Sequence, residues 1–122
     1  MGDQISFSSV TVNAPDAATL AGFYAQITGG EVTFTHPSWA TLKTPGGRID
    51  FQTVADYQPP VWPDDPSLIH LDFLVGDLEA AAVTVEAAGA SRFDVQPNAA
   101  HCLVFADPVG HPFCLTTVDE LG

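Results

Sequence analysis

The sequence predicts an α+β fold made of two βαβββ modules in tandem, whose strands form a curved, cup-like mixed sheet. Three observations predict it. Residues 9–16 (Ser-Val-Thr-Val-Asn-Ala-Pro-Asp) recur in plan at residues 70–77 (His-Leu-Asp-Phe-Leu-Val-Gly-Asp), each alternating like a strand and running into an aspartate. Each aspartate is followed by apolar residues at helical spacing, and each helical stretch by three short strand-like runs. A length of 122 residues, 46% hydrophobic and 15% charged, suits one domain that buries a core without a disulfide framework or structural metal.

Module one spans about residues 5–54. Its first strand alternates Val10 and Val12 with Thr11 and Asn13, and Asp16 is placed to cap a helix by accepting from the first free amides. Leu20, Phe23, Tyr24 and Ile27 then fall on one helical face, and Gly29-Gly30 supplies the stop. Strands follow at about 31–35, 38–44 and 48–54, with Pro45-Gly46-Gly47 turning the chain between the last two. Residues 55–67 form a linker whose prolines remove amide donors, and it reads either as a plain connector or as the rim of a site.

Module two spans about residues 68–118 and repeats the plan. Asp77 is the second cap; Leu78, Ala81, Ala82 and Val85 make the helical stripe; Gly89 ends it. Strands are expected at about 91–96, 101–106 and 111–118, with Asp107-Pro108-Val109-Gly110 as the matching turn. A period of two sends Val10, Val12, Ile49, Phe51, Leu71, Phe73, Val75, Phe113 and Leu115 towards the helices. The opposite faces then carry Ser9, Thr11, Asn13, Asp50, Gln52, His70, Asp72, Cys114 and Thr116. Buried polar groups without partners would cost about 1–3 kcal/mol each, so polar inner faces predict a wet ligand chamber. A pseudo-twofold arrangement is expected to bring Ser9 towards His70 and Gln52 towards Cys114.

Charge narrows the partners. Fifteen acidic residues against Lys43, Arg48 and Arg92 give a formal charge of −12, which repels nucleic-acid phosphates and anionic membranes and favours a cationic or neutral small molecule. No apolar run approaches the roughly eighteen residues of a membrane span, and the first residues lack a secretory pattern, so a cytoplasmic protein is expected. Gly2 with Ser6 matches a loose myristoylation pattern, without polybasic support. No nucleophile elbow, phosphate-binding glycine loop or dinucleotide fingerprint is present.

The remaining candidates admit two readings each. His70 and Asp72 share a strand face at a spacing of about 7 Å, which makes no tight dyad unless another strand helps. His70 is therefore a general base or an imidazole that hydrogen-bonds ligand or water. Cys114 is a nucleophile or a buried structural thiol; no Lys or Arg stands beside it in sequence to lower its pKa. Trp39, alternating with Ala40 and Leu42, should face the chamber, and Trp62 stands on the proline-rich segment. Both tryptophans suit flat walls for a small molecule, or subunit contacts.

The two strand-to-capped-helix entries, the segment Leu68-Ile-His-Leu-Asp-Phe-Leu-Val75 and the terminal Asp107-Pro-Val-Gly-His-Pro-Phe-Cys-Leu115 resemble the vicinal-oxygen-chelate superfamily, the glyoxalase, bleomycin-resistance and extradiol-dioxygenase group. The resemblance implies a homodimer and a small-molecule site. It also implies four metal-ligand positions, which fall here on Ser9, Gln52, His70 and Cys114, and only His70 keeps the usual ligand type. The expectation is a metal-independent binding protein of the bleomycin-resistance type that sequesters an aromatic or cationic natural product or drug. Trp39 and Trp62 would stack on it, while Gln52, His70 and Asp72 would hydrogen-bond it, with Asp50 and Cys114 on the same faces. One alternative is a lyase, isomerase or dioxygenase using a divalent metal such as Zn, Ni, Mn or Fe at Gln52, His70 and Cys114, completed by His101. Another is a scaffold with a vestigial pocket.

Overall fold

The computed structural model describes residues 4–66 and 68–117. Ten elements follow in order: β1 (Val10–Ala14), α1 (Ala17–Thr28), β2 (Glu31–His36), β3 (Trp39–Thr44), β4 (Gly47–Thr53), β5 (Leu71–Leu74), α2 (Leu78–Ala88), β6 (Ser91–Arg92), β7 (Cys102–Ala106) and β8 (Pro112–Thr116). They form two four-stranded sheets, ordered β1-β4-β3-β2 and β5-β8-β7-β6, so the α+β class and the repeated βαβββ plan hold. The chain divides into two compact units between Tyr57 and Gln58.

In the first unit, β1 pairs in parallel with β4, placing Val12 beside Phe51 and Asn13 beside Gln52. The Asp16 carboxylate accepts from the Thr19 hydroxyl and from the Thr19 amide, the latter at 3.0 Å, and those bonds hold it below the usual carboxylate range. Capping starts α1 where the apolar stripe starts, and Leu20, Ala21, Phe23 and Tyr24 are buried. They close over Val12, Ala40, Leu42, Ile49 and Phe51, with Tyr24 stacked on Phe51 at 5.7 Å between centroids. Sorting by parity is thus correct for this sheet.

In the second unit β5 pairs in parallel with β8, and Asp77 caps α2 through the Ala80 amide at 3.0 Å. The helix is alanine-rich and buries only Ala82 and Val85, so aromatic side chains fill the space: Phe105 stacks on Phe113 at 5.7 Å, and Phe73 meets Phe113 edge-on at 5.9 Å. The turn before β8 is built by buried Asp107, whose Oδ1 accepts from the amides of Val109 and His111, both at 3.0 Å. Gly110 in that turn has φ of 99°, and a Cβ there would lie 2.8 Å from the Pro59 Cβ. The left-handed backbone and the close approach of the proline segment both require glycine.

Four strands are shorter than expected, β3 by its first residue, Ser38. β6 covers only Ser91–Arg92 rather than 91–96, because the Gln96 side chain takes over the pairing. Its amide donates to the carbonyls of Phe93 (2.7 Å) and Val104 (2.8 Å), and its oxygen accepts from the Val104 amide at 2.8 Å. A side chain that satisfies both backbone groups of Val104 leaves no ladder for residues 94–96 to join. β7 and β8 each begin one residue later than expected, and the far end expected for β8, residue 118, lies outside the described residues. His70 precedes the first laddered residue of β5, so it is not a strand residue.

Candidate functional site

On the polar face of the first sheet, Trp39 stands directly across from Gln52, and Thr41 across from Asp50. Trp39 is half-buried and Gln52 exposed, as the alternation with buried Ala40 and Leu42 requires. Asp50 differs in kind. Only 1% exposed, its carboxylate accepts from Ser9 Oγ at 2.6 Å, Thr41 Oγ1 at 2.7 Å, Arg48 Nε at 3.1 Å and Arg48 Nη2 at 2.8 Å. Burial pushes its pKa up, but the bonds from Arg48, Ser9 and Thr41 and the guanidinium charge outweigh that and hold it below the ordinary value. Asp50 is therefore the centre of a satisfied cluster, a role the sequence reading did not assign. The signal was there: Arg48 and Asp50 are two apart on one strand, and a hairpin turning at Pro45-Gly46 sets Thr41 opposite Asp50.

In the second unit, four of the expected residues come together. Asp72 and Cys114 are neighbours in the parallel ladder of β5 and β8. His70 Nδ1 lies 3.3 Å from Asp72 Oδ1 and 3.6 Å from Cys114 Sγ. The 3.3 Å separation of His70 and Asp72 is well under the roughly 7 Å of an ideal strand, and it occurs beside a neighbouring strand, the condition attached to that expectation. His70 sits before the ladder starts, so its ring is free to lean along the strand, and β8 supplies the third group. Trp62 meets the His70 ring edge-on at 6.0 Å and lies 5.8 Å from Phe93, and its Nε1–H donates to the Val95 carbonyl at 3.2 Å. The proline-rich segment thus carries an aromatic wall beside an imidazole that lies 3.3 Å from a carboxylate; Phe93 in that wall went unnoticed in the sequence.

Cys114 is buried, and its thiol is pushed up to about 12 by burial, by the Asp72 charge and hydrogen bond, and by Cys102 on β7. At neutral pH it is a protonated thiol, a weak hydrogen-bond donor and a poor nucleophile. His101 exposes its side chain on the stretch before β7, where its carbonyl accepts from the Thr117 amide at 3.2 Å.

The four positions where the resemblance puts a metal can be tested on their donors. The Ser9 hydroxyl is committed to Asp50 at 2.6 Å, and Gln52 offers a neutral amide oxygen. These do not fit a hard transition ion of the Ni, Mn or Fe kind, which wants imidazole and carboxylate ligands.

Residues 9–116 match the glyoxalase-like domain family. Among curated proteins no sequence matches the chain. Three solved structures are similar in fold. A glyoxalase-related enzyme from Fulvimarina pelagi is 20% identical, with 91% of this chain and 86% of that one covered and a TM-score of 0.67. A bleomycin resistance determinant encoded on the transposon Tn5 is 13% identical, with 95% and 100% covered and a TM-score of 0.64. A variant of the fosfomycin resistance protein FosX from Listeria monocytogenes, complexed with Mn(II) and a dihydroxypropylphosphonic acid, is 15% identical, with 93% of each chain covered and a TM-score of 0.73. No helix of the described residues is long and apolar enough to cross a membrane.

Proposed function

The chain belongs to the glyoxalase-like domain family, within the vicinal-oxygen-chelate superfamily, and from that premise we propose that it is a small-molecule-binding protein of the bleomycin-resistance type. It captures an aromatic or cationic natural product or drug without breaking a bond, and works as a cytoplasmic homodimer. The observation that carries this reading is Trp62, held by its bond to Val95 with its ring against the His70 imidazole, which has the Asp72 carboxylate 3.3 Å away. A planar ligand would stack on the indole while its polar groups meet His70 and Asp72, and the net charge of −12 would favour a cation. Trp39 and Gln52, paired across β3 and β4, offer the corresponding combination in module one. Capture of this kind does not depend on an ion at the four family positions, two of which present neutral oxygens.

The test is a thermal-shift and intrinsic-fluorescence screen of chelator-treated protein against aromatic cations, bleomycin among them. The expected result is saturable quenching with a rise in melting temperature, weakened at least about fivefold by W62A, since a stacked aromatic contributes about 1 kcal/mol beyond its area. Absence of saturable binding across the panel, or binding indifferent to both W62A and W39A, overturns the reading.

A further inference from the structure

Directly opposed residues form rows across the polar face of the first sheet. Phe34, Thr41 and Asp50 make one row, and Lys43 and Arg48 stand opposed in the next, about 7 Å further along the strands. Trp39 belongs to the row on the other side. Phe34 owes its place to a shift of register between Val32 and Phe34. With regular alternation Thr33 would stand across from Thr41, and Phe34 would point to the helix side. The extra residue instead leaves a phenylalanine 53% exposed and diagonal to Trp39, at the roughly 7–8 Å that aromatic side chains can reach across.

Lys43 and Arg48 are two of the three cationic residues in a chain of net charge −12. Like charges directly opposed destabilise a sheet, so strand pairing gives no reason for the pair. Arg48 donates from Nε and Nη2 to the buried Asp50 carboxylate, at 3.1 and 2.8 Å, which fixes the plane of the guanidinium and leaves Nη1 without a bond among the described residues. Lys43 is exposed and forms no ion pair among the described residues, although Glu31 stands across from it on β2. Two cationic donors thus point away from the sheet, one row from two aromatic rings.

We propose that this face binds an aromatic carboxylate, its ring on Phe34 and Trp39 and its oxygens received by Arg48 Nη1 and the Lys43 ammonium. One row separates ring from charge, about 7 Å, a span that suits a bicyclic aryl carboxylate. The site lies wholly in module one and uses none of the four family metal positions; it rests on the capture reading in one respect, the ring face of Trp39. Its ligand has the charge that the overall field disfavours. Asp50 is spent on Arg48, and Glu31 competes for Lys43, so an anion gains from charge-assisted bonds at contact distance, while salt screens the more distant acidic residues.

The experiment measures binding of 2-naphthoate, and of its uncharged counterpart 2-naphthamide, to the full chain by calorimetry at pH 7, where the carboxylate is ionised. Naphthoate should bind at least about tenfold tighter, since charge-assisted hydrogen bonds are roughly twice as strong as neutral ones. K43Q, at an exposed position without an ion pair, should weaken naphthoate at least about fivefold and leave naphthamide unchanged. E31Q, which removes the competing carboxylate, should tighten naphthoate, and F34A should weaken both probes. The proposal is overturned if naphthoate does not bind, if the two probes bind equally, or if the advantage of naphthoate survives K43Q. An advantage that K43Q removes, in a chain that captures no aromatic cation, supports this site while overturning the capture reading.

Discussion

Replacing Asp50 by asparagine (D50N) isolates the energetics of the module-one cluster with almost no change of shape. The carboxylate accepts four hydrogen bonds, two of them from the Arg48 guanidinium. In the variant the amide oxygen can still accept from Thr41 and the Ser9 hydroxyl can reverse to accept, but the new N–H₂ faces the Arg48 donors. Two charge-assisted bonds are therefore lost, at about 1.5–3 kcal/mol each before solvent is considered. The Arg48 side chain is 45% exposed and regains water, which reduces the net loss to about 2–3 kcal/mol. Urea unfolding of the full chain at pH 7 should show a midpoint lower by about 1–2 M at unchanged slope. The pH dependence gives a second check. The Asp50 pKa is lower in the folded chain than in the unfolded one, so its contribution is complete above the unfolded value near 4 and is lost as pH falls through the folded value. The gap between parent and variant should accordingly stay flat from pH 7 down to about 4 and close below it. A difference under about 0.5 kcal/mol at pH 7, or a gap that widens in acid, refutes the argument.

Three further outcomes are expected. Q96A removes the amide that pairs with Val104 and should cost about 1–3 kcal/mol in chemical denaturation, with the Val104 amide losing hydrogen-exchange protection ahead of its neighbours on β7. G110A forces a Cβ into Pro59 at a backbone angle that side chains rarely adopt, and should destabilise the second unit by about 1–3 kcal/mol, measured as a lower melting temperature. Iodoacetamide at pH 8 should label partly exposed Cys102 while leaving Cys114 unmodified by mass spectrometry, because the Cys114 thiol is buried and pushed up to about 12; labelling of Cys114 at the same rate contradicts that environment.

What could be read in the sequence follows from which forces are local. Both helix caps, the stripes of α1 and α2, and the inward sets of β1 and β4 depend on residues within one turn or one strand, and the structure places them as the alternation requires. The truncated β6 was not legible, because the group that ends it is the side chain of Gln96 bonding to a residue eight positions later. Asp50 was legible in part: Arg48 and Thr41 lie within its own hairpin, but Ser9 is 41 positions earlier and is brought to it by the parallel pairing of β1 with β4. Asp72 and His70 were correctly placed on one side, but spacing along an ideal strand could not show that His70 lies outside the ladder and leans towards its neighbour.

The capture of Val104 by Gln96 has a consequence for how these molecules behave in a crowded solution. β7 is flanked on its outer side by a strand of only two residues, which would leave the rest of that rail as a template on which a stray chain could lay down an extra strand. With both main-chain groups of Val104 already occupied, an intruder finds nothing to zip onto at the middle of the rail. A polar amide in that place leaves less of the rail's main chain open to strand addition.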